Sequence, residues 1–347
     1  MPFVELLEHV AQAFFDAIEF GVKNMQNVVS EILLPFPCPR CKIANMSNLM
    51  AINHKTTAPG MADKVLLKSS ANGRKHPVNQ LNDMDAKEWI SETVSVWVQK
   101  GLGKDHKDAQ IEREHPAPFS YQDVARLIRF FTKEGQTVLD PFVGVGSTLK
   151  AAAIEGRRGI GIELNPKYVA LSKKRLATEI ADQLYACREQ EVLLGDARKV
   201  IPTLAPASVN LVVTSPPYWN ILHKEDHKAK QERLENGLDT RYSDNPADLG
   251  NIGGYSEFLK ELADILALCH PVLADGGHMC VIVGDFRDKS RYHMFHADLA
   301  MAMENRGFSL KGLTILYQRH KRIFPYGYPY AYVPNLHHQY IVILKKL

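Results

Sequence analysis

Short apolar runs alternate with stretches of helical spacing over the last two thirds of the chain. Thr137-Val138-Leu139, Gly159-Ile160-Gly161-Ile162, Glu191-Val192-Leu193-Leu194 and Leu211-Val212-Val213 predict four buried strands. Residues 279–283, 313–316 and 340–344 predict three more. Between them, helical patterns are expected near residues 121–131, 148–155, 167–183, 255–270 and 296–305. This alternation predicts an α/β fold: a doubly wound, mostly parallel seven-stranded sheet with helices on both faces. Upstream, Leu6, Leu7, Val10, Phe14, Ile18 and Val22 fall at helical spacing, so residues 1–34 read as one or two amphipathic helices that stop before Pro35-Phe36-Pro37. The polar stretch 55–85 reads as loop. The expected division is an N-terminal helical appendage (1–60), a segment suited to recognition or packing (61–112), and a main domain (113–347) with an insertion at 223–250.

Composition narrows the class. At 347 residues and 45% hydrophobic content, the chain has the size of one large domain or two modest ones and is neither disordered nor fibrous. No run of 18 uncharged apolar residues is present, so no membrane span is expected. Glu5 and Glu8 stand where a signal peptide wants positive charge, which points to a cytoplasmic protein. Five scattered cysteines suit a reducing compartment. Cys38-Pro-Arg-Cys41 finds only His54 as a third ligand and no fourth, so it reads as a surface turn with two thiols and no metal is expected. The net charge of +3 neither demands nor excludes nucleic acid, whose recognition would need local basic clusters.

The residues at the strand ends carry the chemistry. After the first strand comes Asp140-Pro-Phe142-Val-Gly144-Val-Gly146-Ser147-Thr148, where glycines let the backbone approach a ligand closely. The second strand ends in Glu163, at the spacing of an acid that holds ribose hydroxyls. The third ends in Gly195-Asp196, a carboxylate suited to an exocyclic amine such as that of adenine. The fourth ends in Thr214-Ser215-Pro216-Pro217-Tyr218-Trp219. Two prolines set a rigid turn that presents carbonyl oxygens beside one hydroxyl and two aromatic rings.

These strings resemble the S-adenosylmethionine-dependent DNA amino-methyltransferases. DPFVGVGST (140–148) resembles the family's cofactor loop, and TSPPYW (214–219) its catalytic tetrapeptide in the SPPY form, which leans towards cytosine N4 rather than adenine N6. His115-Pro116-Ala-Pro-Phe119 looks like the segment that packs over the methionine end of the cofactor. Residues 159–176 and 193–197 resemble the ribose and adenine strands. The resemblance implies a Rossmann-like class I methyltransferase with S-adenosyl-L-methionine as cofactor, double-stranded DNA as substrate, and a cognate restriction enzyme as an allowed partner. It implies catalytic roles for Ser215, Pro216, Pro217 and Tyr218. It implies cofactor contacts from His115, Pro116, Phe119, Asp140, Phe142, Gly144, Gly146, Ser147, Thr148, Glu163 and Asp196. The cofactor loop precedes the catalytic string here, whereas many SPPY enzymes run in the other order; both orders give the same sheet.

No separate recognition domain is expected after the catalytic string. Nucleic-acid contacts are expected from Trp219, from Lys224 and Lys228 in the insertion, and from Arg319, Lys321, Arg322, Tyr326 and Tyr328 in a loop that interleaves tyrosine with Gly and Pro. An amine methyltransferase acting on RNA and a non-enzymatic nucleic-acid-binding protein are the competing classes. A nicotinamide-dependent dehydrogenase lacks support, because Leu149 stands where the third glycine of its fingerprint belongs.

Overall fold

The computed structural model describes residues 79–100, 106, 109–115, 119–180, 189–219, 243 and 245–347, all within the unit Lys75–Leu347. The expected helices of 1–34, the Cys38/Cys41 pair, and Pro116, Lys224 and Lys228 lie outside the described residues.

The elements run α1 (Ala86–Glu92), β1 (Val96–Val98), α2 (Ala109–Glu114), α3 (Tyr121–Phe131), β2 (Thr137–Asp140), α4 (Ser147–Ile154) and β3 (Arg158–Glu163). They continue with α5 (Pro166–Glu179), β4 (Gln190–Leu194), α6 (Ala197–Val200), β5 (Val209–Thr214), α7 (Tyr255–Ala267), α8 (Cys269–Val272) and β6 (Leu273–Val283). A hairpin, β7 (Phe286–Asp288) and β8 (Arg291–His293), precedes α9 (Phe295–Glu304), β9 (Phe308–Tyr317) and β10 (His338–Lys346). The main sheet has order β1-β9-β10-β6-β5-β2-β3-β4. Strands β2 to β6 are mutually parallel where they pair, and β10 runs antiparallel between β6 and β9.

All seven expected strands are present. The central ones were readable because both faces of the sheet are covered there, which turns a strand into an unbroken apolar run. Val138, Leu211, Val213, Cys280, Ile282 and Ile341 join the core under α3 and α4. Their neighbours Leu139, Val212, Val281, Val283 and Val342 join the core under α7 and α9. The eighth strand, β1, went unread: it has three residues, of which only Trp97 is buried. Helix α1 buries no residue and so carries no apolar stripe; a capping box between Asp85 and Glu88 starts it.

The chain leaves β2 towards β3 and β4 on one side, then returns to place β5 on the other. The crevice where the strand order reverses lies between the carboxyl ends of β2 and β5, where this class of sheet binds its ligands.

Candidate active site

The cleft at those ends holds about 710 Å³ of empty space including its mouth. Its walls come from the turns after four adjacent strands: Phe142 after β2, Glu163 and Asn165 after β3, Asp196 after β4, and Ser215 to Tyr218 after β5.

Asp140 ends β2 and is fully buried. Its Oδ2 accepts from Thr148 Oγ1 at 2.5 Å, and its Oδ1 from Thr214 Oγ1 at 2.6 Å and the Phe142 N–H at 3.0 Å. Burial pushes its carboxyl up to about 6, against the pull of those three donors. This carboxylate therefore straps the loop after β2 to the loop after β5. Gly146 takes φ +83°, and a side chain there would collide with Ser172 Oγ. Gly144 takes φ +53°, and a Cβ would sit 3.2 Å from His115 Nε2. The turn aims the Gly144 N–H at Glu163 Oε2, 2.9 Å away.

Burial pushes Glu163 up to about 7, more than its bonds from the Asn165 and Gly144 N–H groups pull it down. Each carboxylate oxygen takes one backbone donor, at 2.8 Å and 2.9 Å, and keeps a further lone pair. Asp196 caps α6 by accepting from the Arg198 N–H at 2.9 Å, and pairs with Arg198 Nε at 3.0 Å.

Below the loop lies a buried charge network. Arg175, with its side chain fully buried, donates to Ser147 Oγ at 2.9 Å and bonds Glu179 Oε2 and Glu112 Oε2 at 3.0 Å each. Lys150 Nζ reaches Glu179 Oε2 at 2.6 Å. Two cations face two carboxylates.

The structure sorts the expected site residues. His115, Phe142, Glu163, Asp196 and the Ser215–Tyr218 turn line the cleft. Asp140, Gly144, Gly146, Ser147 and Thr148 are not among its walls; their polar groups are used within the protein and shape the loop behind it. Phe119 belongs to the hydrophobic core with Leu127 and Ile128 rather than to the cleft. Trp219 is likewise no nucleic-acid contact: it is 5% exposed, packs against Tyr255 and Phe286, and donates to the Ile252 carbonyl at 2.9 Å. Sequence reasoning missed Asn165, Tyr168, Arg198 and Asp248 in the walls. Asn165 had a signal, an N-cap before Pro166 directly after a strand.

An adenosyl sulfonium suits these groups. The spare lone pairs of Glu163 match a vicinal diol, the Phe142 side chain an apolar base face, and the Asp196 carboxylate an amine. Among the described residues no helix is long and apolar enough to cross a membrane, and no cluster of His, Cys, Asp and Glu is arranged to hold a metal.

The type II methyltransferase M.BglI of Bacillus subtilis is 38% identical over 97 residues, covering 28% of this chain and 26% of that protein. M2.DpnII of Streptococcus pneumoniae, also a type II methyltransferase, is 35% identical over 162 residues, covering 46% of this chain and 53% of that protein. The chain thus spans between about a quarter and a half of the length of these curated relatives. Among solved structures, TrmN from Thermus thermophilus aligns at 20% identity and a TM-score of 0.41 over 65% of this chain and 48% of that one. A family model described as DNA methylase matches residues 25–174 and 209–346, which is most of the chain, and the chain belongs to that family, the S-adenosylmethionine-dependent DNA amino-methyltransferases.

Proposed function

We propose that the chain moves a methyl group from S-adenosylmethionine to an exocyclic amine of a DNA base, with cytosine N4 the favoured acceptor and adenine N6 the alternative. One juxtaposition carries the reading: the Ser215–Tyr218 turn shares a cleft with Glu163 and Asp196. Glu163 holds the ribose of the cofactor, Asp196 its adenine amine, and His115 and Phe142 flank it. When bound, the cofactor supplies an electrophilic methyl on a positively charged sulfur. The amine of cytosine is a poor nucleophile because its lone pair is delocalised into the ring. Hydrogen bonds from its protons to Ser215 Oγ and the Pro216 carbonyl bias the nitrogen towards tetrahedral geometry and free that lone pair. Tyr218 stacks on the ring. The turn thus works by positioning, which supplies much of the rate in a displacement of this kind. In a duplex the base has to be flipped out to reach the cleft.

Charge supports a polyanionic substrate. Residues 305–347 contain seven Lys and Arg and no Asp or Glu. Lys321, Arg322 and Tyr326 from the loop between β9 and β10 line a groove with Arg287, Lys289 and Tyr292 of the β7–β8 hairpin. Cations neutralise phosphates there and exposed rings offer stacking faces. Arg319 and Tyr328 are exposed on the same loop but outside the groove's walls. The hairpin half of the groove had no signal in the sequence.

Single-molecule sequencing of DNA from cells expressing the chain is expected to show N4-methylcytosine at one recurring motif. Marks on adenine would transfer the assignment to N6, and unmodified DNA with methylated RNA would overturn the substrate. A second expectation concerns pH. Both hydroxyls of a diol can donate to Glu163 only when the carboxylate is ionised, since a protonated oxygen turns a donor towards them, and burial pushes that group up to about 7. Binding of S-adenosylhomocysteine, followed by calorimetry, should weaken as the pH falls below that value, approaching about tenfold per pH unit. Glu163→Gln should bind weakly at every pH and lose this dependence.

A further inference from the structure

The loop between β9 and β10 holds aromatic rings out of the protein. Tyr328, Tyr330 and Tyr332 are 81%, 94% and 86% exposed. The backbone that carries them is tied down. Asn335 Nδ2 donates to the Phe324 carbonyl, and its Oδ1 accepts from the Phe324 N–H, both at 2.8 Å, which closes the loop at its base. Further out, the N–H groups of Tyr330 and Ala331 donate to the Gly327 carbonyl at 2.7 Å each, and the Tyr328 N–H donates to the Pro325 carbonyl at 3.2 Å. Pro325, Pro329 and Pro334 each fix a backbone angle. The rings are therefore presented on an ordered support.

Two placements say what such rings meet. Tyr326, Pro334 and Asn335 line the basic groove, whereas Tyr328, Tyr330 and Tyr332 are not among its walls. One side of the loop thus faces cations and the other offers bare rings. The loop also leaves the sheet beside the catalytic turn. Gln318, directly after β9, and Gln339, near the start of β10, bond each other at 3.5 Å, and Gln339 Nε2 donates to the Tyr218 hydroxyl at 2.6 Å. Exposed aromatic area gains free energy only when something covers it. Beside Arg287, Lys289, Lys321 and Arg322, that cover is polyanionic, and for rings it is flat. A duplex offers flat faces between its base steps, and it opens a space of that shape where a base is flipped out.

We infer that Tyr328, Tyr330 and Tyr332 form a wedge that enters the duplex beside the target base and takes the space this base leaves. The inference rests on the methyl-transfer reading above and adds to it the group that offsets the cost of extrusion. Ordering the loop in advance spares that cost at the moment of binding.

The test compares two duplexes that carry the motif found by sequencing, one with the target base paired and one with it mispaired, because a mispaired base is cheaper to extrude. Replacing all three tyrosines with Ser is expected to lower kcat/KM on the paired duplex by about tenfold or more, the loss of base stacking. On the mispaired duplex the same variant should stay within about threefold of wild type. Replacing the three with Phe keeps the rings and should keep most of the activity on both. Fluorescence of 2-aminopurine at the target position, which rises when the base is unstacked, should fall in the Ser variant and persist in the Phe variant. Equal losses on the two duplexes would overturn the inference in favour of a surface that only adds affinity. Unchanged activity on the paired duplex would overturn it in favour of a partner other than DNA, such as a protein. A wild-type chain that binds S-adenosylhomocysteine but methylates no DNA would overturn the methyl-transfer reading itself, and this inference with it.

Discussion

Ser215→Ala combined with Pro216→Ala is expected to lower methyl transfer by at least about 10³-fold while leaving cofactor affinity unchanged. The serine change removes the aliphatic hydroxyl of the turn that lines the cleft. The proline change keeps a carbonyl but releases φ, so the oxygen is no longer pre-aimed. Neither residue hydrogen-bonds Glu163 or Asp196, whose bonds come from backbone N–H groups and Arg198. The fold should survive as well, because Thr214, and not Ser215, makes the hydrogen bond to Asp140. Single-turnover transfer of labelled methyl groups, beside calorimetry with S-adenosylhomocysteine, separates the two effects. Full activity in this variant would refute the assignment of the turn as catalytic.

The second large effect lies beneath the cofactor loop. Arg175→Met should lower stability by about 3–5 kcal/mol in urea unfolding, the usual result of stripping one partner from a buried ion network. The guanidinium is fully buried and serves Glu112, Glu179 and Ser147 together. Without it Lys150 alone faces two carboxylates, and burial already raises the pKa of Glu112. Replacing the carboxylates as well, in Arg175→Met with Glu112→Gln and Glu179→Gln, is expected to return much of the lost stability. If the single variant unfolds at the wild-type urea midpoint, the network contributes nothing net. Because Arg175 also holds the first residue of α4, the single variant should bind cofactor more weakly.

The acids and the prolyl turn were legible because strand tips in a doubly wound sheet converge. Finding the strands therefore located Glu163, Asp196 and Ser215. Asp140, Ser147 and Thr148 also spend polar groups on the loop itself, which a string such as DPFVGVGST does not report. Trp219 was misread for a related reason: an aromatic residue after a catalytic turn fits stacking and packing equally well, and only the positions of Tyr255 and Phe286 decide. Gln339 meets Tyr218 across 121 residues of chain, and Gln318 meets Gln99 across 219. No local pattern reports contacts of that range. The segments α1 and β1 escaped because periodicity needs length and a buried face, and they have little of either.

Strand β1 bears on how the protein avoids sticking to itself. It pairs with β9 only at Ile315, Leu316 and Tyr317. The earlier part of β9 is a sheet edge, with Lys311 and a register shift opposite Ile343 and Leu344. A lysine and an irregularity are the usual guards of an open edge against pairing with another chain. Where those guards end, β1 takes over and covers the apolar remainder. A shortened version of the chain that begins beyond residue 98 would keep every wall of the cleft yet leave that remainder exposed as a self-adhesive strip.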